Sequence, residues 1–209
     1  MTRSSSAELL KSVEYWPNHL LTIADWALLP ENNRHCRELV DGVLVVAPQP
    51  PRHQLAVWRL AAQLERALPR RVAAMARIEL LIDEGSPPTV RVPDVLIVGG
   101  AAGAEHATRV RPGDVLAAVE IVSPGSRRVD RVMKFAEYAA AGIEHYWLLE
   151  TEGTLRLLTH RLRDGRYVPT GEYTGQVTLE LDGLTLPLDL DALTALRSPS
   201  SSGAAAGSR

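Results

Sequence analysis

Two periods run through the apolar positions of this chain, and together they predict both helices and strands. In "HQLAVWRLAAQLERAL", Leu55, Leu60, Ala61, Leu64 and Leu68 recur at helical spacing, leaving Arg59, Glu65 and Arg66 for an outer face. "HLLTIADWALLPE" predicts a shorter helix, with Thr22 as N-cap and Pro30 soon after its end. A third helix is predicted from about Arg127 to Ala141, opened by Ser126 and stopped by Gly142. On it Val129, Val132, Met133, Ala136 and Ala140 form one apolar face, and Asp130, Lys134 and Glu137 form a separate polar stripe.

The strand signals are equally local. "RELVDGVLVVAP" and "TLRLLTHRLRDGRYVPT" each place apolar runs around Asp-Gly, the strongest short-range mark of a tight hairpin. "VAAMARIELLID", "VRVPDVLIV", "DVLAAVEIVS" and "EHYWLLE" predict four further strands. The second and third are nearly continuous apolar runs, as in strands covered on both faces. "QVTLELDGLTLPL" adds edge strands, and "DALTAL" a last helical turn capped by Asp191. The order predicts one α/β domain over residues 19–197, a mixed sheet flanked by helices with N-terminal and C-terminal hairpins. Residues 1–18 form an extension, and the small polar residues of 198–209 read as a disordered tail.

Composition narrows the function classes. A net charge of −2 gives no general attraction to nucleic acid or to anionic membranes, so any such contact needs a local patch. The opening "MTRSSSAELLKSVEYW" lacks the apolar core of a signal peptide, and no run approaches the roughly 18 apolar residues of a membrane span. A cytoplasmic protein is expected. Cys36 is the single cysteine, which excludes an intrachain disulfide and a cysteine-based zinc site. It is expected to be a buried small hydrophobe rather than a reactive thiol. "GGAAGAEHA" fits neither phosphate-loop nor dinucleotide spacing, and its His106 carries no further signal.

Candidate chemistry begins with two acids inside apolar runs. Asp94 follows Pro93 near the start of one strand, and Glu120 lies near the end of another. A buried carboxylate is costly unless paired, hydrogen-bonded or metal-bound. A divalent cation between the two would relieve their repulsion, and an all-oxygen set suits Mg²⁺ or Mn²⁺ rather than Zn²⁺. The alternative is that each acid merely closes a strand at the rim. Lys134 is one of only two lysines among 23 basic residues. Asp130 and Lys134 also fit an ordinary i,i+4 ion pair, worth roughly 0.3–0.5 kcal/mol. Ser123, in "IVSPG", lacks a nucleophile elbow and any evident histidine partner, so it is expected to bond local backbone.

The ordered set changes the balance. "RELVDG", "PRHQLAVWRLAAQL", "VRVPDVLIV", "VEIVSP", "DRVMKFAEYAAAGIEHYWLLE" and the closing "GRY" together resemble the Uma-two family of restriction-endonuclease-like proteins, within the PD-(D/E)XK nuclease superfamily. The resemblance implies a metal-dependent endonuclease acting on DNA, with Asp94 and Glu120 as the metal acids. Val122 stands two residues after Glu120, where the superfamily's simplest pattern has its lysine. The resemblance shifts that role to Lys134, which would orient water or stabilise transition-state charge. Asp130 would hold the Lys134 ammonium or contact metal-bound water, the Ile121 carbonyl would add a metal ligand, and Glu38 would complete the site, the alternative for Glu38 being an exposed strand-end carboxylate. His53 matches a family position and would contact substrate phosphate, the alternative being a simple helix-start residue. Arg127, Arg128 and Arg131 cluster at the helix start as a nucleic-acid surface, with Arg52, Arg70 and Arg71 as extensions. The family also makes a homodimer plausible. The rival readings are a non-catalytic or regulatory protein that keeps the nuclease fold, and a metal-dependent hydrolase of some other substrate.

Overall fold

The computed structural model describes residues 18–30, 36–100 and 109–195. The expectations for residues 1–17, for the loop holding His106 and for the tail 198–209 lie outside the described residues.

The chain runs α1 (Ile23–Leu28), β1 (Cys36–Val40), β2 (Val43–Ala47), α2 (Pro51–Ala67), β3 (Val72–Ala76), β4 (Leu80–Asp83), β5 (Thr89–Arg91), β6 (Val95–Gly99) and β7 (Val115–Val122). A π-helical turn (Val129–Met133) then leads into α3 (Lys134–Ala140). β8 (His145–Glu150), β9 (Arg156–Arg163), β10 (Arg166–Tyr173), β11 (Gln176–Leu181) and β12 (Leu184–Asp189) complete the fold. Thr22 caps α1 through a reciprocal capping box with Asp25. Among the described residues no helix is long and apolar enough to cross a membrane.

The α/β class is as expected, but the strands form three sheets. The largest has the order β10-β9-β8-β7-β6-β3, a second has β2-β1-β5-β4, and β11-β12 stands apart. Two expected strands each break in two. "VAAMARIELLID" divides at Arg77, which adopts φ 56°, so that β3 and β4 enter different sheets. "VRVPDVLIV" divides at Val92–Pro93–Asp94, with β5 in the four-stranded sheet and β6 in the six-stranded one. Pro93 lacks the N–H that a central strand needs. The last helical turn is a 3₁₀ turn whose N-cap is Leu190, with Asp191 as its first residue.

Packing on the large sheet follows the alternation of β7. Ala117, Val119 and Ile121 face α2, where Ala56, Val57, Leu60 and Leu64 are fully buried. Ala118 and Val122 face the other way, into a cluster with Leu96, Tyr138 and Tyr146. Among the described strands, β7 and β8 are the pair that runs parallel. A parallel pair needs a crossover, and the helical segment ending in α3 supplies it. That requirement places α3 over the face that Glu120 shares with Ala118 and Val122.

The helix lies the other way round from its apolar pattern. Val132 is 59% exposed and Met133 42%, while Asp130, Lys134 and Tyr138 are buried. Burial is decided here by what the helix covers, a sheet face that carries a carboxylate. The π turn, closed by the Lys134 N–H on the Val129 carbonyl, also shifts the phase of the helix.

Three Asp-Gly turns close hairpins with both residues at positive φ, at residues 41–42, 164–165 and 182–183. Their surroundings differ. A Cβ on Gly42 would stand 2.8 Å from Leu20 Cβ and 3.1 Å from Pro87 Cβ, whereas one on Gly165 would meet nothing within 4 Å. Gly165→Ala is expected to cost about 1 kcal/mol from backbone conformation alone, and Gly42→Ala about 2–3 kcal/mol. Urea denaturation of both variants checks this. Equal costs would contradict the packing of the first turn.

Candidate active site

Asp94 and Glu120 are brought together by strand register. In the antiparallel β6/β7 pair, Val95 faces Val119, and extending that register by one position sets Asp94 opposite Glu120. The chain leaves the ladder at Pro93. The Asp94 side chain continues it instead, accepting the Ile121 N–H on Oδ2 at 2.8 Å. His53 Nε2, from the first turn of α2, lies 3.0 Å from the same oxygen. Oδ1 receives only a long 3.4 Å contact from Gln49, whose own carbonyl is held by Arg77. The His53 Nδ1 atom is buried without a hydrogen-bond partner.

Glu120 faces the crossover helix. Its Oε1 accepts from Lys134 Nζ at 3.0 Å and from the Tyr138 hydroxyl at 2.9 Å. Lys134 Nζ also lies 3.0 Å from Glu38 Oε1 and 3.9 Å from Asp130 Oδ1. Glu38 comes from β1 of the other sheet, so one ammonium ties both sheets and the crossover together. Glu38 is further held by Arg91 at 2.8 Å and by the Val92 N–H at 3.1 Å. Arg91 is 1% exposed, and its remaining donors fork onto both oxygens of Glu137 at 2.6 Å. The Tyr146 hydroxyl fixes the Asp130 carbonyl at 2.8 Å.

Burial sets the charge states. It pushes the Glu120 carboxyl well above the usual carboxylate range, against the pull of Lys134, and Asp94 and Asp130 nearby push it further. Glu38 goes the other way. Burial would raise it too, but Lys134, Arg91 and the Val92 N–H together hold it below its ordinary value. Burial works against the charge on Lys134, yet Glu120, Glu38 and Asp130 outweigh it and hold the ammonium well above its ordinary value. Asp130 is raised, chiefly by burial.

These groups line one cavity of about 390 Å³. Of the residues singled out in the sequence, Glu38, His53, Asp94, Glu120, Asp130 and Lys134 all line it. Ile121 packs its side chain in the α2-side core, and its N–H serves the site through Asp94. Ser123 bonds Ser126 locally, at 3.1 Å between hydroxyls. Cys36 lines the cavity with a thiol pushed up to about 12 by burial and by Glu38, which removes thiolate chemistry at neutral pH. Arg127 and Arg131 lie in a separate groove, paired with Glu152 and Glu150, and Arg156 holds Glu150 at 2.6 Å and Glu172 at 2.9 Å. Arg128, Arg70 and Arg71 are exposed, and Arg52 donates to Thr194. Sequence reasoning missed Arg91 and Gln49. An arginine inside "TVRVPDVLIV" was a signal of the same kind as Asp94.

The donor set suits a hard cation. Asp94 Oδ1, the second oxygen of Glu120 and the Asp130 carboxylate carry no short hydrogen bond among the described residues, and all are hard oxygen donors. A second acid–histidine group, Glu144, His145 and Asp182, brings its ligand atoms within 4.8 Å of one another. Arg161 already neutralises it, donating to Glu144 from Nε at 2.9 Å and lying 3.6 Å from Asp182. That group is an ion network.

A central mixed sheet with a crossover helix over two facing acids is the architecture of a restriction-endonuclease-like α/β domain. A solved structure, "Crystal structure of a putative nuclease belonging to DUF820 from Anabaena variabilis ATCC 29413", has this fold with a TM-score of 0.62 and 15% identity, over 83% of this chain and 97% of that one. Residues 23–192 match the Uma2 family model, described as "Putative restriction endonuclease", and the chain belongs to that family. No curated protein matches it.

Removing the shared cation leaves buried carboxylates without compensation. Lys134→Met is expected to destabilise the protein by about 3 kcal/mol at about pH 8. Without the ammonium the Glu38 carboxyl loses the largest influence holding it down, and the Glu120 carboxyl, already raised by burial, rises further. Stability from such groups is present below the unfolded pKa and is lost as pH rises through the folded one. The deficit against wild type therefore shrinks on going to about pH 5. Denaturant titration at both pH values checks it, and a pH-independent deficit would contradict the cage.

Proposed function

We propose that this protein is a divalent-metal-dependent endonuclease that hydrolyses phosphodiester bonds in DNA. The observation that most supports this is the position of Lys134. It enters from the crossover helix, yet its ammonium meets Glu120 at 3.0 Å beside Asp94, although Val122 occupies the usual lysine position. Family membership supports the same chemistry.

Asp94 and Glu120 would hold Mg²⁺ or Mn²⁺, with the Ile121 carbonyl as a further ligand. The bound cation supplies Lewis acidity at a phosphodiester oxygen. The Ile121 N–H and His53 fix Asp94 through Oδ2. Lys134 stabilises negative charge that develops on the phosphoryl group, while Glu38 and Asp130 aim it. Arg91 locks Glu38 in place. Arg128 offers a phosphate contact outside the cavity, and the unpaired edge of β2, with Val43 and Val46 exposed, suits a homodimer.

Calorimetry with Mn²⁺, followed by cleavage of mixed DNA substrates, separates the roles. Asp94→Asn and Glu120→Gln are expected to lose both metal binding and cleavage. Lys134→Ala is expected to keep metal binding and to lose about 10²–10³-fold in kcat. A wild-type protein that binds no metal would leave the non-catalytic reading of the fold standing. Metal binding without cleavage of any nucleic acid would favour another substrate class.

A further inference from the structure

The reacting groups are recessed. Asp94, Glu120 and Lys134 are each at most 6% exposed, whereas Val45 of β2 and Met133 of the π turn line the same cavity at 39% and 42% exposed. The site therefore has a charged floor beneath an apolar rim, to which Ala47 and Pro48 also contribute. Its volume of about 390 Å³ belongs to the class of small-ligand sites rather than to long open grooves.

The cations of the cavity are already spent on its acids. Arg91 is held by Glu38 and Glu137, Lys134 by Glu38 and Glu120, and His53 by Asp94. Among the described lining residues no other basic side chain is present. Arg127 and Arg131, the nearest basic cluster in sequence, are paired with acids in another groove. A duplex binder neutralises roughly 6–10 phosphates with lysine and arginine, and the described residues of this mouth offer no such row.

Duplex and single strand present different surfaces. A duplex turns its phosphates outward and keeps its base faces stacked, so an apolar rim would desolvate charge without a partner. An unpaired strand bends freely, can lower one phosphodiester to a recessed floor, and exposes base faces that Val45, Pro48 and Met133 can cover. We infer that the site takes its phosphodiester from an unpaired strand or flap, not from intact duplex. This rests on the nuclease reading above.

The full-length protein with Mn²⁺ tests it on end-labelled oligonucleotides of one mixed sequence, offered as single strand, blunt duplex and duplex with an unpaired flap. Single strand and flap are expected to be cut at least about ten-fold faster than blunt duplex. Val45→Asp and Met133→Glu, on two different elements and both exposed, are each expected to raise KM for single strand about ten-fold, as loss of one apolar contact would. Circular dichroism melts confirm that the variants fold. Duplex cleaved as fast as single strand, or rim variants without effect on KM, would overturn the inference and leave the nuclease reading intact. No cleavage of any of the three would overturn both.

Discussion

A single ammonium holds the centre of this molecule together. Lys134 lies 3.0 Å from Glu120 on the six-stranded sheet and 3.0 Å from Glu38 on the four-stranded sheet, and it is carried by the crossover between β7 and β8. Four carboxylates, Glu38, Asp94, Glu120 and Asp130, are buried around it, and a buried carboxylate without a partner is costly. Charge balance is therefore what allows two sheets to meet with acids on the facing sides. Arg91 repeats the device one layer out, with both ends of its guanidinium on carboxylates. The groups that tie the sheets together are the ones proposed for the chemistry, so the site cannot be loosened without cost to the interface of the sheets.

The same arrangement shapes what can approach. The cations inside the cavity are already paired with its acids, and two of the arginines expected at the surface, Arg127 and Arg131, are paired with Glu152 and Glu150. A net charge of −2 gives no long-range attraction to make up the difference. What the cavity itself presents is a floor of carboxylates and a rim of apolar side chains. Val132 and Met133 are exposed because the helix spends its inward face on Asp130, Lys134 and Tyr138. The apolar rim is thus a consequence of the charged floor.

Much of this was legible in the sequence, because it depends on local chemistry. Asp-Gly gave the hairpins at residues 41–42 and 164–165, Thr22 gave the cap of α1, and the period of Leu60, Ala61 and Leu64 gave the buried face of α2. Asp94 and Glu120 stood out as charges in apolar runs, and the resemblance joined them to Lys134 and Glu38. What failed depends on partners distant in the chain. Apolar content could not show that the strands around Arg77 and Pro93 change sheets. Helical periodicity named the wrong inward face, since it assumes an apolar partner and regular turns, and this helix has a carboxylate beneath it and a π turn at its start. The pairing of Arg127 and Arg131 with acids some twenty residues on was invisible for the same reason.

Asp94 and Glu120 are proposed to hold one cation with Lys134 beside it, and anomalous diffraction from crystals soaked in Mn²⁺ would locate that ion. The expected result is a peak at the Asp94 and Glu120 carboxylates, with Lys134 Nζ still lining the cavity. A peak at Glu144, His145 and Asp182 instead, or none between the two acids, would contradict it.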